Sequence, residues 1–132
     1  AAAKLSEYNV LASQTDWAWP RALGDIFQPR GVNMIVAGAA GEFVNVLQHQ
    51  RVHATIIDAD SQVGGLATLR LIRMDFPRLP CLMLSSRSGQ SLLGQALDLD
   101  VFSVIDKPVD MGVLQQQLNR LFVKKYDSDI FA

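Results

Sequence analysis

The chain has 132 residues, 49% of them apolar and 19% charged, with twelve Lys and Arg against thirteen Asp and Glu for a net charge of −1. That length suits one domain with its own core, and that composition excludes a disordered chain. The electrostatic footprint of a nucleic-acid binder is missing, the lone Cys81 cannot form an internal disulfide, and no apolar run reaches the roughly 20 residues of a membrane span or forms a signal peptide. A cytoplasmic domain without direct nucleic-acid or membrane contact is expected.

Short β-rich runs alternate with helix-length stretches, the pattern of a parallel sheet wrapped by helices. Residues 1–7, opening Ala1-Ala2-Ala3, read as an N-terminal extension or an expression remnant. Tyr8–Ala12 is the first strand. A polar loop leads to a helix over about 17–28, capped by Asp16, with Ala22, Leu23, Ile26 and Phe27 on one face. Pro29-Arg30-Gly31 stops it. Val32–Ala37 is the second strand, Gly38 opens a turn, and a helix over 41–49 buries Phe43, Val44 and Leu47. The third strand, Ala54–Ile57, ends in Asp58-Ala59-Asp60, and Gly64-Gly65 precedes a helix over 66–75 that Pro77 and Pro80 close. Cys81–Leu84 is the fourth strand, followed by a helix over 88–97 carrying Leu92, Leu93, Ala96 and Leu97. Val101–Ile105 is the fifth strand. Asp110 then caps a last helix with Leu114, Leu118, Leu121 and Phe122 at helical spacing. The domain spans 8–122, and the tail, 123–132, has no obvious partner and reads as a linker to an output domain.

Ligands of an open parallel sheet bind beyond the carboxyl ends of its strands. There the chain places Asp58 and Asp60 after the third strand, Ser85 and Ser86 after the fourth, and Asp106 and Lys107 after the fifth. An acid, a hydroxyl and a lysine at neighbouring strand ends suit a carboxylate that accepts a phosphoryl group. Asp58 is the candidate nucleophile, Ser85 the hydroxyl contact and Lys107 the cation beside the transferred charge.

Thr55-Ile56-Ile57-Asp58, the run Leu79 to Ser86, and Val104-Ile105-Asp106-Lys107-Pro108, in this order and spacing, resemble the receiver domain of bacterial two-component response regulators. The resemblance covers about residues 8–122. It implies a flavodoxin-like, doubly wound, five-stranded parallel sheet in the order 2-1-3-4-5 with five helices. It further implies a cis bond before Pro108, a switch region at Asp60, Ser86, Val104 and Pro108, and partners such as a histidine kinase or an attached output domain. It also implies dimerisation through the fourth helix, fifth strand and fifth helix, with Leu92, Val101 and Leu114 as the places to look.

Several residues depart from the family pattern. Phosphorylated members carry an acidic pair after the first strand that holds Mg²⁺; here that pair falls at Gln14-Thr15, with Asp16 one position later. At most one acid stands where the family has two, so Asp16 and Asp58 are weak metal candidates and no cofactor is expected. The family's Met-Pro after the acceptor is replaced near Ser61-Gln62. Its fifth-strand aromatic is Val104, with Phe102 two residues away on the same strand face. The sequence therefore points to a degenerate receiver, not an enzyme, acting by protein contact without Mg²⁺-dependent phosphorylation, in control of an output such as transcription.

Plainer readings stand beside these. Asp58 and Lys107 suit a fixed ion pair, Asp60 a turn former and Ser86 a helix cap. His49 and His53 read as surface residues, and Trp17 and Trp19 as packing or interface residues. The run Gly38-Ala39-Ala40-Gly41, with Asp58 twenty residues after Gly38, offers a dinucleotide-binding alternative, although its third glycine would fall at Val44.

Overall fold

The computed structural model describes residues 8–13, 19–60, 65–86 and 90–132. Its strands are β1 (Tyr8–Ser13), β2 (Val32–Ala37), β3 (Ala54–Asp58), β4 (Cys81–Ser85) and β5 (Ser103–Asp106). Its helices are α1 (Trp19–Phe27), α2 (Ala40–His49), α3 (Gly65–Asp75), α4 (Gln90–Asp98) and α5 (Met111–Tyr126), with one 3₁₀ turn, Gln28–Arg30. All strands are parallel, in the order β2-β1-β3-β4-β5. This is the flavodoxin-like architecture expected above.

Side chains alternate across each strand, so the sheet feeds two cores. Val10, Ala12, Ile56, Leu82, Leu84 and Ile105 pack with α1 and α5 through Leu23, Phe27, Leu114, Leu118, Leu121 and Phe122. Leu11, Ile57, Cys81 and Met83 face α2, α3 and α4 through Phe43, Leu47, Leu69, Ile72 and Ala96. Every residue of β3 and β4 is buried, the burial expected of central parallel strands covered on both sides. The buried Cys81 thiol accepts a hydrogen bond from Thr55 Oγ1 at 2.8 Å, and burial holds its pKa above 9.0, so it packs as a thiol. No described helix is long and apolar enough to cross a membrane.

Several expectations are corrected. Ile26 lies 54% exposed instead of on the buried face of α1, because the buried stripe follows Trp19, Leu23 and Phe27, at i, i+4 and i+8, with Pro20 buried beside it. Val44 is half-buried, and Val46 packs on the core in its stead. Val101 and Leu114 belong to the two cores within one chain and Leu92 is half-buried against one of them, so Val101 and Leu114 offer nothing to a second copy. The tail has a partner. Residues 123–126 prolong α5, Asp127 closes it in a left-handed conformation with φ 51°, and Phe131 returns to full burial against Phe27 and Phe122.

His53 is also buried rather than exposed. It lies between the start of β1 and α5, its Nδ1 accepting the Asn9 backbone N–H at 3.1 Å, its ring edge-on to Tyr8 and Tyr126, and its carbonyl accepting the Tyr126 hydroxyl. Burial, then the nearby Arg51, push its pKa below 6.5. Below 6.5 the unfolded chain binds a proton that the folded chain refuses, so this residue's contribution to stability falls as pH drops from 6.5 toward its folded pKa. Urea midpoints measured across that window should fall with pH in the native chain and fall less in His53→Gln; equal slopes would remove His53 as the cause.

Candidate functional site

In a parallel sheet the carboxyl ends of all strands share one edge, so the segments leaving β3, β4 and β5 converge there. β3 carries Asp58 as its last residue, in register with Leu84 of β4, and Ser85 is in turn level with Asp106 of β5. The Asp58 N–H donates to Ser13 Oγ at 3.0 Å, which ties the end of β1 into the same corner. Asp58 Oδ1 accepts the Asp60 N–H at 2.8 Å, the local turn that short Asp and Asn side chains favour. Asp60 Oδ2 reaches across to accept the Ser86 N–H at 2.8 Å. Ser85 is buried, and its carbonyl accepts the Lys107 N–H at 2.9 Å. The Lys107–Pro108 bond is cis, as expected.

Lys107 completes the corner. Its Nζ lies 2.6 Å from Asp58 Oδ2 and 3.3 Å from Asp60 Oδ2, and the Lys107 and Asp58 side chains are only 13% and 10% exposed. Desolvation opposes the ammonium charge, but Asp58 and then Asp60 outweigh it and hold the Lys107 pKa above 10.5. At Asp60 partial burial favours the neutral acid, yet two hydrogen bonds from Ser86 and the charge of Lys107 prevail and keep its carboxyl below 3.8. One cation thus bridges two carboxylates, and both Asp58 oxygens have protein partners.

Gly65 supports the arrangement. A Cβ there would stand 2.5 Å from Ala59 Cα and 2.7 Å from the Asp58 carbonyl oxygen, so α3 starts against the backbone of the acceptor turn only because residue 65 is glycine. Sequence reasoning missed Ser13 and this role of Gly65. The glycine pair after Asp58-Ala59-Asp60 was the available signal for the second; for Ser13 there was none, since it reads as an ordinary loop residue.

The other candidates are distributed as follows. Val104 is half-buried on the α2, α3 and α4 side. Phe102 packs against the α1 and α5 side, not on the same face as Val104, because the chain bends at Phe102 and β5 begins at Ser103. Pro108 is exposed. Gln14, Thr15, Asp16, Trp17, Ser61 and Gln62 lie outside the described residues; Trp19 is buried, as a packing residue should be. Among the described residues, no group of three His, Cys, Asp or Glu side chains comes together. The strand order weighs against dinucleotide binding: β1 separates the Gly38 turn after β2 from Asp58 after β3, by roughly 10 Å at two strand spacings. Moreover the Gly38 N–H already points to Glu42 Oε2 at 3.3 Å, and a Cβ on Gly41 would meet nothing, so neither glycine is held for a pyrophosphate.

The family model described as response regulator receiver domain matches residues 14–119. Among solved structures, the signal receiver domain of an HD domain-containing protein from Pseudomonas fluorescens Pf-5 is 18% identical with a TM-score of 0.80, over 93% of this chain and 100% of that one. The chemotaxis protein CheY4 of Vibrio cholerae is 20% identical with a TM-score of 0.78, over 88% and 99%. A response regulator receiver protein from Pseudomonas putida is 25% identical with a TM-score of 0.77, over 87% and 98%. Among curated proteins no match was found.

Proposed function

The chain belongs to the response regulator receiver domain family, whose members serve two-component signalling, and on that premise we propose that it is a degenerate receiver that works by protein contact without Mg²⁺-dependent phosphorylation of Asp58. The observation that carries this reading is the Lys107 ammonium bridging Asp58 and Asp60 while neutral Gln14 and Thr15 stand where two further acids are needed. Mg²⁺ requires several hard oxygen donors in octahedral array. Two carboxylates already sharing a lysine do not fit it. Each Asp58 oxygen already has one partner, the Asp60 N–H on Oδ1 and Lys107 on Oδ2, and both draw electron density from the oxygen that would attack a phosphoryl group. The same contacts that build the acceptor turn therefore hold the acceptor back.

With acetyl phosphate or beryllofluoride and Mg²⁺, intact-mass and fluorine NMR measurements should show no adduct. A stable beryllofluoride adduct that Asp58→Asn abolishes would overturn the reading.

In this reading the domain meets protein partners, a histidine kinase or an attached output domain such as a transcription regulator, and pairs with a second copy through α4, β5 and α5. Apolar side chains exposed for such pairing include Leu93 and Leu97 of α4, the latter 66% exposed, and Val113 of α5. Sedimentation should show a concentration-dependent dimer that Leu97→Glu weakens at least about tenfold, the scale of one apolar contact replaced by a charge. A monomer at all concentrations would discard this interface.

A further inference from the structure

At the end of the sheet opposite Asp58, a groove of about 1020 Å³ runs between the turn before β4 and the second half of α5. Its charge is lopsided for a chain of net charge −1: five basic side chains line it against one acid, Asp100. Arg120 and Lys124, one helical turn apart on α5, join Lys125 and, across the groove, Arg78. These four are exposed, and among the described residues none makes an ion pair. Between them lie Pro80, Phe102 and Val123, the last 47% exposed.

The fifth base, Arg73, makes this groove a preformed feature. Its guanidinium donates to the carbonyls of Leu99 at 2.7 Å, Leu79 at 2.6 Å and Asp100 at 3.1 Å, fastening the turn before β4 to the turn before β5. Rigid walls reduce the ordering cost of binding. A helix C-terminus favours lysines for its own sake, which accounts for Lys124 and Lys125 but not for Arg78 or for the apolar strip.

We propose that this groove docks an acidic amphipathic peptide segment of a protein partner, with its apolar side chains on Val123 and the half-buried Phe102 and its carboxylates on Arg78, Arg120 and Lys124. An apolar floor inside a charged rim is the anatomy of a protein interface. A phosphodiester chain has no apolar side chains for that floor, and a flat lipid surface does not enter a concave groove. The site is remote from Lys107 and stands whether or not Asp58 is ever phosphorylated.

The test is fluorescence anisotropy on the full chain at low ionic strength with a short fluorescein-labelled peptide of Glu and Leu in amphipathic helical spacing. Comparison probes are a Glu and Gln peptide of equal charge, single-stranded DNA, and phosphatidylserine vesicles. The expected result is saturable binding of the Glu and Leu peptide that salt weakens and that Arg120→Glu with Lys124→Glu reduces at least about tenfold. If the double variant does not fold, Arg78→Glu on the opposite wall provides the same readout. No binding, binding indifferent to these reversals, or equal or tighter binding of any comparison probe overturns the proposal.

Discussion

Phe131→Ala should lower the free energy of unfolding by about 3–5 kcal/mol, the usual cost of removing a buried phenylalanine ring. The residue lies second from the end of the chain, yet it is fully buried, its ring 4.7 Å from Phe27 and 4.9 Å from Phe122. Three polar contacts keep the segment in place. Arg30 donates to the carbonyls of Ala132 at 2.8 Å and Ile130 at 3.4 Å, and Gln115 Nε2 donates to that of Phe131 at 2.9 Å. Losing the ring leaves a void between α1 and α5 that those contacts hold open. Urea denaturation measures the change directly, and for a domain of this size the melting temperature should fall by roughly 10 °C or more. A loss below about 1 kcal/mol would mean that the tail does not occupy this position in solution.

Lys107→Ala should cost about 3 kcal/mol, the low end for breaking a largely buried pair, because Asp60 keeps some access to water. The variant leaves two carboxylates facing each other with their shared cation gone. Lys107→Met with Asp58→Asn and Asp60→Asn should recover most of the loss, since no unpaired charge remains. The pH dependence separates the partners. The raised Lys107 pKa gives stability that is complete below 10.5 and is lost as pH rises through the higher folded value. The lowered Asp60 pKa gives stability present above 3.8 and lost as pH falls through its folded value. Both slopes should diminish in Lys107→Ala; a variant as stable as the native chain, with unchanged slopes, would show that the bridge does not form in solution.

The three strand-end positions were legible because of period and punctuation. Thr55-Ile56-Ile57-Asp58 and Cys81 to Ser85 read as buried strands that stop at a polar residue, and parallel topology then brings those stops to one edge. Asp110 was legible as a cap for the same local reason, and its Oδ1 accepts the Val113 N–H at 3.1 Å. Phe102 was misplaced because strict alternation was carried one residue past the true start of β5. His53 was misread because a polar residue beside Arg51 looks like surface, and only the pairing of β1 with β3 brings Asn9 to its ring.

Local sequence by itself thus determined the element order, a parallel sheet wrapped by helices, and the identity of the acids and lysine at the strand ends. These follow from side-chain periodicity and backbone propensity, which act over a few residues. Tertiary structure alone decided that one ammonium serves both Asp58 and Asp60, that Gly65 must lack a side chain, that the tail packs through Phe131, and that five bases and one acid line one groove. All but the Gly65 contact, which spans six and seven residues, join residues far apart in the chain. Such contacts are set by how the helices pack on a twisted sheet, and no local pattern of residues encodes that geometry.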